Sequence, residues 1–254
     1  MNTPDPVDVA PFDLRPTDGA ADGAVLCLHG LTGTPYEVRP IGEALCVRGL
    51  RARGLLLPGH NSTVERLATL DRGAWVAAVR GAYLRLADEH GQVHVVGMSL
   101  GGLLALDLAA EHPVASVAVI GVLLRFSQPL PLLIPIVKRL LPLLDKKTGS
   151  DIQDPVARAR HPGYRQMPLA SVHELIRLQR EVRTKLERIR APAFIAHGAH
   201  DTTARPRDAA HIHAAIGSDV KRLEIYANSG HVVPVDHDGR TLAREIADFV
   251  LEVV

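Results

Sequence analysis

Two cysteines in 254 residues, Cys27 and Cys46, are too few for a disulfide framework. Cys27 lies in an apolar run and Cys46 in a helical pattern, so both read as free thiols, buried or nearly so. No excess of one charge is present. Lys plus Arg number 29 and Asp plus Glu 28. A nucleic-acid binder would carry a basic stripe, and none is seen. No apolar run reaches the ~18 residues that a spanning helix requires. The opening Met-Asn-Thr-Pro-Asp-Pro-Val-Asp is acidic and proline-rich, with neither a basic start nor an apolar signal segment. These features lead to the expectation of a cytoplasmic protein without a transmembrane segment. They do not speak to its oligomeric state.

What is present is apolar side chain, 46% of residues, enough for a sizeable core. Residues 1–23 read as a leader, broken by prolines at 4, 6, 11 and 16. Strand and helix patterns then alternate. Strands are expected at 24–29, 51–56, 93–96 and 114–120. Helices are expected from Pro35 to about Arg48, over 72–90, and from about Leu100 to Glu111. The rhythm resumes with strands at 193–196 and 221–226 and helices at 206–216 and 240–253. Such alternation predicts an α/β chain with a doubly wound, mostly parallel sheet. The core spans 24–121 and 191–254, and residues 122–190 form a small inserted cap. Inside the cap, Ser171 and Glu174 have capping-box spacing, which predicts a helix over 171–189. The leucine-rich stretch Leu123–Leu144 contains Pro129, Pro131, Pro135 and Pro142. Its prolines argue for an irregular cover rather than a helix. Its side chains, among them Leu130, Leu133, Ile134 and Val137, are expected to line a substrate pocket.

The strongest chemical signal is Gly97-Met98-Ser99-Leu100-Gly101-Gly102. It follows one expected strand and opens a helix, the context a G-x-S-x-G nucleophile elbow needs. A glycine-rich turn with an incidental serine is the plainer reading, and the placement argues against it. A serine hydroxyl needs a base, and the chain order Ser, then acid, then His selects its partners. His231, in Asn228-Ser229-Gly230-His231, follows the last strand. Asp201 follows the strand before it, in His197-Gly198-Ala199-His200-Asp201. Asp236 and Asp238 are rival acids, but they lie beyond His231, where the order fails. Backbone amides should stabilise the oxyanion. Leu100 would supply one, and Leu31, in His29-Gly30-Leu31-Thr32-Gly33, the other, with His29 as a structural residue fixing that loop. A metal site has weak support. His197, His200 and Asp201 are close in sequence, but His211 and His213 would point to different faces of a helix. Trp75 and Tyr164 read as packing residues.

Together, Leu28-His29-Gly30-Leu31-Thr32-Gly33, Gly97 to Gly102, His197 to Asp201 and Ser229-Gly230-His231 resemble the α/β-hydrolase superfamily. Within it they are most similar to the small bacterial carboxylesterases and monoacylglycerol lipases. The resemblance runs from about residue 24 to the end and is weakest over 122–170. It implies a Ser–Asp–His triad, no cofactor, oxyanion amides at Leu31 and Leu100, and a small cap over an acyl pocket. The chain departs from the family at Gly59-His60-Asn61, where Gly-His-Gly is common, and at Gly121-Val122-Leu123, where Ala-Pro is common. The expected activity is hydrolysis of a small to medium acyl ester through an acyl-enzyme on Ser99. A thioesterase or amidase would use the same residues, and a non-catalytic binding protein would keep only the fold.

Overall fold

The computed structural model describes residues 7–17, 23–126, 130–146 and 149–253. Its centre is a seven-stranded sheet in the order β1-β3-β2-β4-β5-β8-β9. These strands are β1 (Phe12–Leu14), β2 (Ala24–Leu28), β3 (Arg51–Leu55), β4 (Val93–Met98), β5 (Ser116–Ile120), β8 (Ala193–Gly198) and β9 (Lys221–Tyr226). Between β5 and β8 lies a separate antiparallel pair, β6 (Leu143–Asp145) and β7 (Gln166–Pro168). In the large sheet only β1 runs antiparallel, against β3; every other neighbouring pair is parallel. The doubly wound, mostly parallel sheet expected from the sequence is therefore present.

Side chains alternate across the strands, and each face buries its own core. On β2, Ala24, Leu26 and Leu28 join the core under α3 (Arg72–His90) and α4 (Leu100–Glu111). Val25 and Cys27 face the opposite core, under α1 (Arg39–Val47) and α9 (Gly239–Glu252). The short α2 (Val64–Ala68) precedes α3, and α8 (Pro206–Ala215) adds Ala209 and Ile212 to the first core. Both cysteines are free thiols, with Cys27 buried and Cys46 half-buried.

The expected leader is partly structured. Phe12 is buried and β1 closes one edge of the sheet. A Cβ on Gly54 would come within 2.1 Å of the Phe12 ring, and one on Gly42 within 2.7 Å. The two glycines thus make the slot the ring fills. Asp13 then pairs with Arg51 at 2.8 Å. A three-residue edge strand flanked by prolines carries too little alternation to be read from sequence.

The inserted region also differs from expectation. Its elements are α5 (Leu130–Leu140), β6, α6 (Pro155–Arg160), β7 and α7 (Leu169–Arg183). The segment expected to be irregular contains a helix, α5, with Pro135 inside it. Pro131 sits in the first turn, where its missing N–H costs nothing. Pro135 removes one hydrogen bond, and packing offsets the loss: Ile134 is fully buried against Leu169, Val172 and Ile176. The Ser171–Glu174 capping box does not form. The helix starts two residues earlier, at Leu169, and Ser171 is buried inside it, donating to the Leu67 carbonyl at 3.2 Å. Glu174 instead accepts from Arg72 and Arg177. Leu175, Leu178 and Val182 of α7 join the core over α3 and α4, so this helix belongs to the body as well as to the insertion.

Candidate active site

β4 ends at Met98 and α4 begins at Leu100, with Ser99 alone between them. Ser99 takes φ 54° and ψ −112°, a conformation an L-residue adopts only under constraint. The constraint is steric. A Cβ on Gly97 would stand 2.1 Å from the Gly101 carbonyl oxygen, and one on Gly101 would stand 2.2 Å from that of Leu28. Glycines therefore let α4 start directly against β4 and cross close over β2. The Ser99 amide donates to Ile120 at 2.8 Å, tying the turn to the end of β5. The hydroxyl is held above the carboxyl ends of the parallel strands, the rim where ligands bind in such sheets.

The structure brings Ser99, His231 and Asp201 into one hydrogen-bonded chain. His231 Nε2 is 2.9 Å from Ser99 Oγ, and His231 Nδ1 is 2.8 Å from Asp201 Oδ2. Asp201 Oδ1 accepts the amides of Thr203 and Ala204 at 2.8 and 2.7 Å. Burial works against the Asp201 charge, but His231, the nearby His197 and the Ala204 amide outweigh it and hold the carboxyl well below the usual range. For His231, burial pulls the imidazole down while Asp201 pulls it up, and the net shift is upward. His197 Nε2 also lies 3.0 Å from Asp201 Oδ2, at ion-pair distance but without hydrogen-bond alignment.

The rival acids are occupied elsewhere. Asp236 accepts the amides of Gly230, Gln153 and Asp154 at 2.7–2.8 Å. Asp238 accepts from the Asn228 amide and the Ser229 hydroxyl, each at 2.9 Å. Asp151, which sequence reasoning missed, accepts the His231 amide on its carbonyl at 2.9 Å and the Thr202 amide on its carboxylate at 2.8 Å. It sits in the loop-rich insertion, and no motif marks it.

Leu100 opens α4, so its amide has no acceptor inside the helix and points to the helix's positive end. Leu31, in the loop after β2, lines the cleft over Ser99. His29 sets the orientation of that loop. Its Nε2 accepts the Leu57 amide at 3.1 Å, which leaves the ring proton on Nδ1 to donate to the Gly30 carbonyl at 2.9 Å. Burial pushes the His29 pKa down, in keeping with a neutral ring. Across a trans peptide the carbonyl of Gly30 and the amide of Leu31 point in opposite directions. Gripping the one therefore aims the other.

A cleft of about 420 Å³ opens over Ser99 and His231. Its lining is apolar at Leu123, Phe126, Met167, Leu169, Val172 and Leu175 and polar at Lys146, Ser150, Asp151, Thr202 and Thr203. Of the residues expected to line the cleft, Leu133, Ile134 and Val137 do not. Leu133 is largely exposed, Ile134 is buried in the small core shared by α5 and α7, and Val137 packs against that core. A helix points residues three and four apart to one face, and α5 turns Ile134 toward α7 rather than toward Ser99. For Leu130, the backbone lies in α5 but the side chain is outside the described residues. Trp75 is fully buried and donates to the Pro58 carbonyl. Among the described residues no cluster of three or more His, Cys, Asp or Glu could hold a metal ion, and no helix is long and apolar enough to cross a membrane.

Comparison with known proteins identifies the family. The chain is 31% identical over 228 residues to the thermostable monoacylglycerol lipase of Bacillus sp. strain H-257, an alignment covering 89% of each. It is 25% identical over 232 residues to a carboxylesterase of Bacillus subtilis strain 168, covering 90% of this chain and 92% of that one. A solved structure from work on LipS and LipT, two metagenome-derived lipolytic enzymes, superposes with a TM-score of 0.89 at 25% identity. It covers 96% of this chain and 98% of the other. Residues 19–238 match the family described as "Serine aminopeptidase, S33". The chain belongs to that family of α/β-hydrolases.

Proposed function

We propose that Ser99 is the nucleophile, His231 the general base and Asp201 the supporting acid of a carboxylic ester hydrolase. The observation that carries this reading is the chain of contacts at 2.9 and 2.8 Å from Ser99 through His231 to Asp201. His231 Nε2 takes the hydroxyl proton as Ser99 attacks the ester carbonyl. The carbonyl oxygen, now negative, accepts from the amides of Leu31 and Leu100. As the intermediate collapses, the imidazolium returns its proton to the leaving alkoxide. Water, deprotonated by His231, then attacks the acyl carbon of the acyl-enzyme, and the bond to Ser99 Oγ breaks as His231 returns the proton to that oxygen and the acid leaves. Asp201 holds the ring's tautomer and stabilises its charge throughout.

The substrate we infer is a small to medium acyl ester, monoglycerides included. The apolar lining suits an acyl chain, and the polar lining at Lys146, Ser150 and Asp151 suits a hydroxylated alcohol. Residues 24–121 and 191–254 form the catalytic body in this reading, and 122–190 the cap. A cytoplasmic location is part of the same reading, supported by the two free thiols.

A panel of p-nitrophenyl esters from acetate to palmitate, beside a monoglyceride, an acyl-CoA and an acyl p-nitroanilide, tests the leaving-group class. Ester hydrolysis with much slower thioester and anilide turnover is the expected result. Faster turnover of either rival would move the function to that class.

A further inference from the structure

Glu37 is a buried carboxylate lining the cleft over Ser99, and the reaction sequence above does not use it. Its residue is 3% exposed and carries no partner of the usual kind, neither Arg nor Lys, among the described ion pairs. Its two oxygens do different things. Oε2 accepts the Gly30 amide at 2.8 Å, at the base of the loop that presents Leu31. Oε1 lies 3.0 Å from His161 Nε2, a side chain of the inserted segment, 124 positions away. Both side chains in this pair are 4% exposed. The carboxylate fills the space under the loop so closely that a Cβ on Gly33 would meet it at 2.0 Å.

The tautomer of His161 follows from its other nitrogen. Nδ1 accepts the Gly163 amide at 3.3 Å and faces the Ser150 hydroxyl at 2.8 Å. The ring proton is therefore on Nε2, pointing at Glu37. The insertion grips the same loop a second time, at Thr32. This residue has φ 66°, a left-handed conformation that is unfavourable for a residue with a side chain. Its carbonyl accepts the Tyr164 amide at 3.0 Å, and its hydroxyl accepts from Lys146. A loop held in that geometry from outside has little freedom to relax.

We infer that Glu37 and His161 are positioning residues for the reaction, through which the inserted segment holds the oxyanion loop in its working geometry. The inference rests on the reading of Ser99 as nucleophile and Leu31 as oxyanion donor. Glu37 fixes the amide of Gly30, so that this amide cannot swing into the site. His161 supplies the donor that keeps a buried carboxylate there. Burial acts to raise the Glu37 pKa, but it is held down at about 2, with the hydrogen bonds from His161 and the Gly30 amide lowering it, so the acceptor persists across the working range. A segment read only as a cover over the substrate thus completes the catalytic loop as well.

The test compares His161→Phe, which removes the donor, with His161→Gln, which restores one. Removing a single oxyanion donor costs about 10²–10³ in kcat, and a misaimed one should cost less. For p-nitrophenyl butyrate, His161→Phe is expected to lower kcat roughly 10- to 100-fold, with KM changed far less. Binding of a trifluoromethyl ketone, which mimics the tetrahedral intermediate, should weaken by a similar factor. His161→Gln should recover most of both losses, and Glu37→Ala combined with His161→Phe should be no worse than Glu37→Ala alone. Circular dichroism and thermal melting check folding. Should His161→Phe unfold, the comparison becomes His161→Gln against His161→Asn, whose shorter amide falls short of Glu37. An unchanged kcat, a loss in KM alone, or a glutamine variant as impaired as phenylalanine would overturn the inference. Labelling of the wild type with a fluorophosphonate separates the two levels. If Ser99 is labelled and kcat does not respond, only the positioning role fails; if Ser99 is not labelled, the underlying reading fails with it.

Discussion

His231 Nε2 stands 2.9 Å from Ser99 Oγ although 132 positions separate the two residues in the chain. The meeting is a product of topology. Ser99 follows β4 and His231 follows β9, and parallel strands deliver both to the same rim of the sheet. The His231 amide is further anchored to the Asp151 carbonyl of the insertion.

Asp201→Asn should keep the fold and lower ester turnover by about 10⁴, the serine-protease precedent for a wrongly held imidazole tautomer. Asp236→Asn should instead lower the melting temperature, because its carboxylate ties Gly230 to Gln153 and Asp154. Steady-state kinetics beside thermal melts read both. A larger kinetic loss in Asp236→Asn than in Asp201→Asn would mean that the acid has been misassigned.

The pH dependence follows from the opposing influences on His231. Burial favours the neutral ring, Asp201 favours the imidazolium, and Asp201 prevails, so the pKa lies above the ordinary 6.5. The base acts only when neutral. Activity should therefore rise with pH through a midpoint above 6.5 and be lost below it. Removing the charge in Asp201→Asn should move that midpoint to lower pH, since burial then acts without its largest counterweight. Profiles of kcat/KM from pH 5 to 9 would show this, and a flat profile or an unmoved limb would count against it.

Chain-length specificity should reside in the apolar lining that the structure identifies. Phe126→Ser should lower kcat/KM for p-nitrophenyl octanoate more than for the acetate, since each methylene in apolar contact contributes about 0.8 kcal/mol. Leu133→Ser, at a largely exposed position outside the cleft, should leave the profile unchanged. The reverse pattern would put the acyl chain against α5.

The parts of this molecule that were legible in its sequence are those where local pattern and tertiary role agree. β2, β4 and β5 are buried on both faces and read as apolar runs. The elbow was legible because steric contact at Gly97 and Gly101 leaves no other residue type room. Phe12 was hidden because its burial depends on glycines 30 and 42 residues further along. α5 was misread because the penalty of Pro135 is local, while the packing of Ile134 that offsets it comes from α7. The pocket wall was misplaced for the same reason, since helix rotation decides which leucines face Ser99. Glu37 and His161 escaped notice because a pair so distant in sequence has no spacing to detect.

The central claim is that Ser99 forms the covalent bond. Intact-protein mass spectrometry after treatment with a fluorophosphonate probe tests it most directly, with peptide mapping to locate the adduct. One adduct, on Ser99, is predicted for the wild type, and none for a folded Ser99→Ala variant whose turnover is lower by about 10⁶. No adduct on the wild type, an adduct at another residue, or activity of Ser99→Ala within about tenfold of wild type would contradict the account.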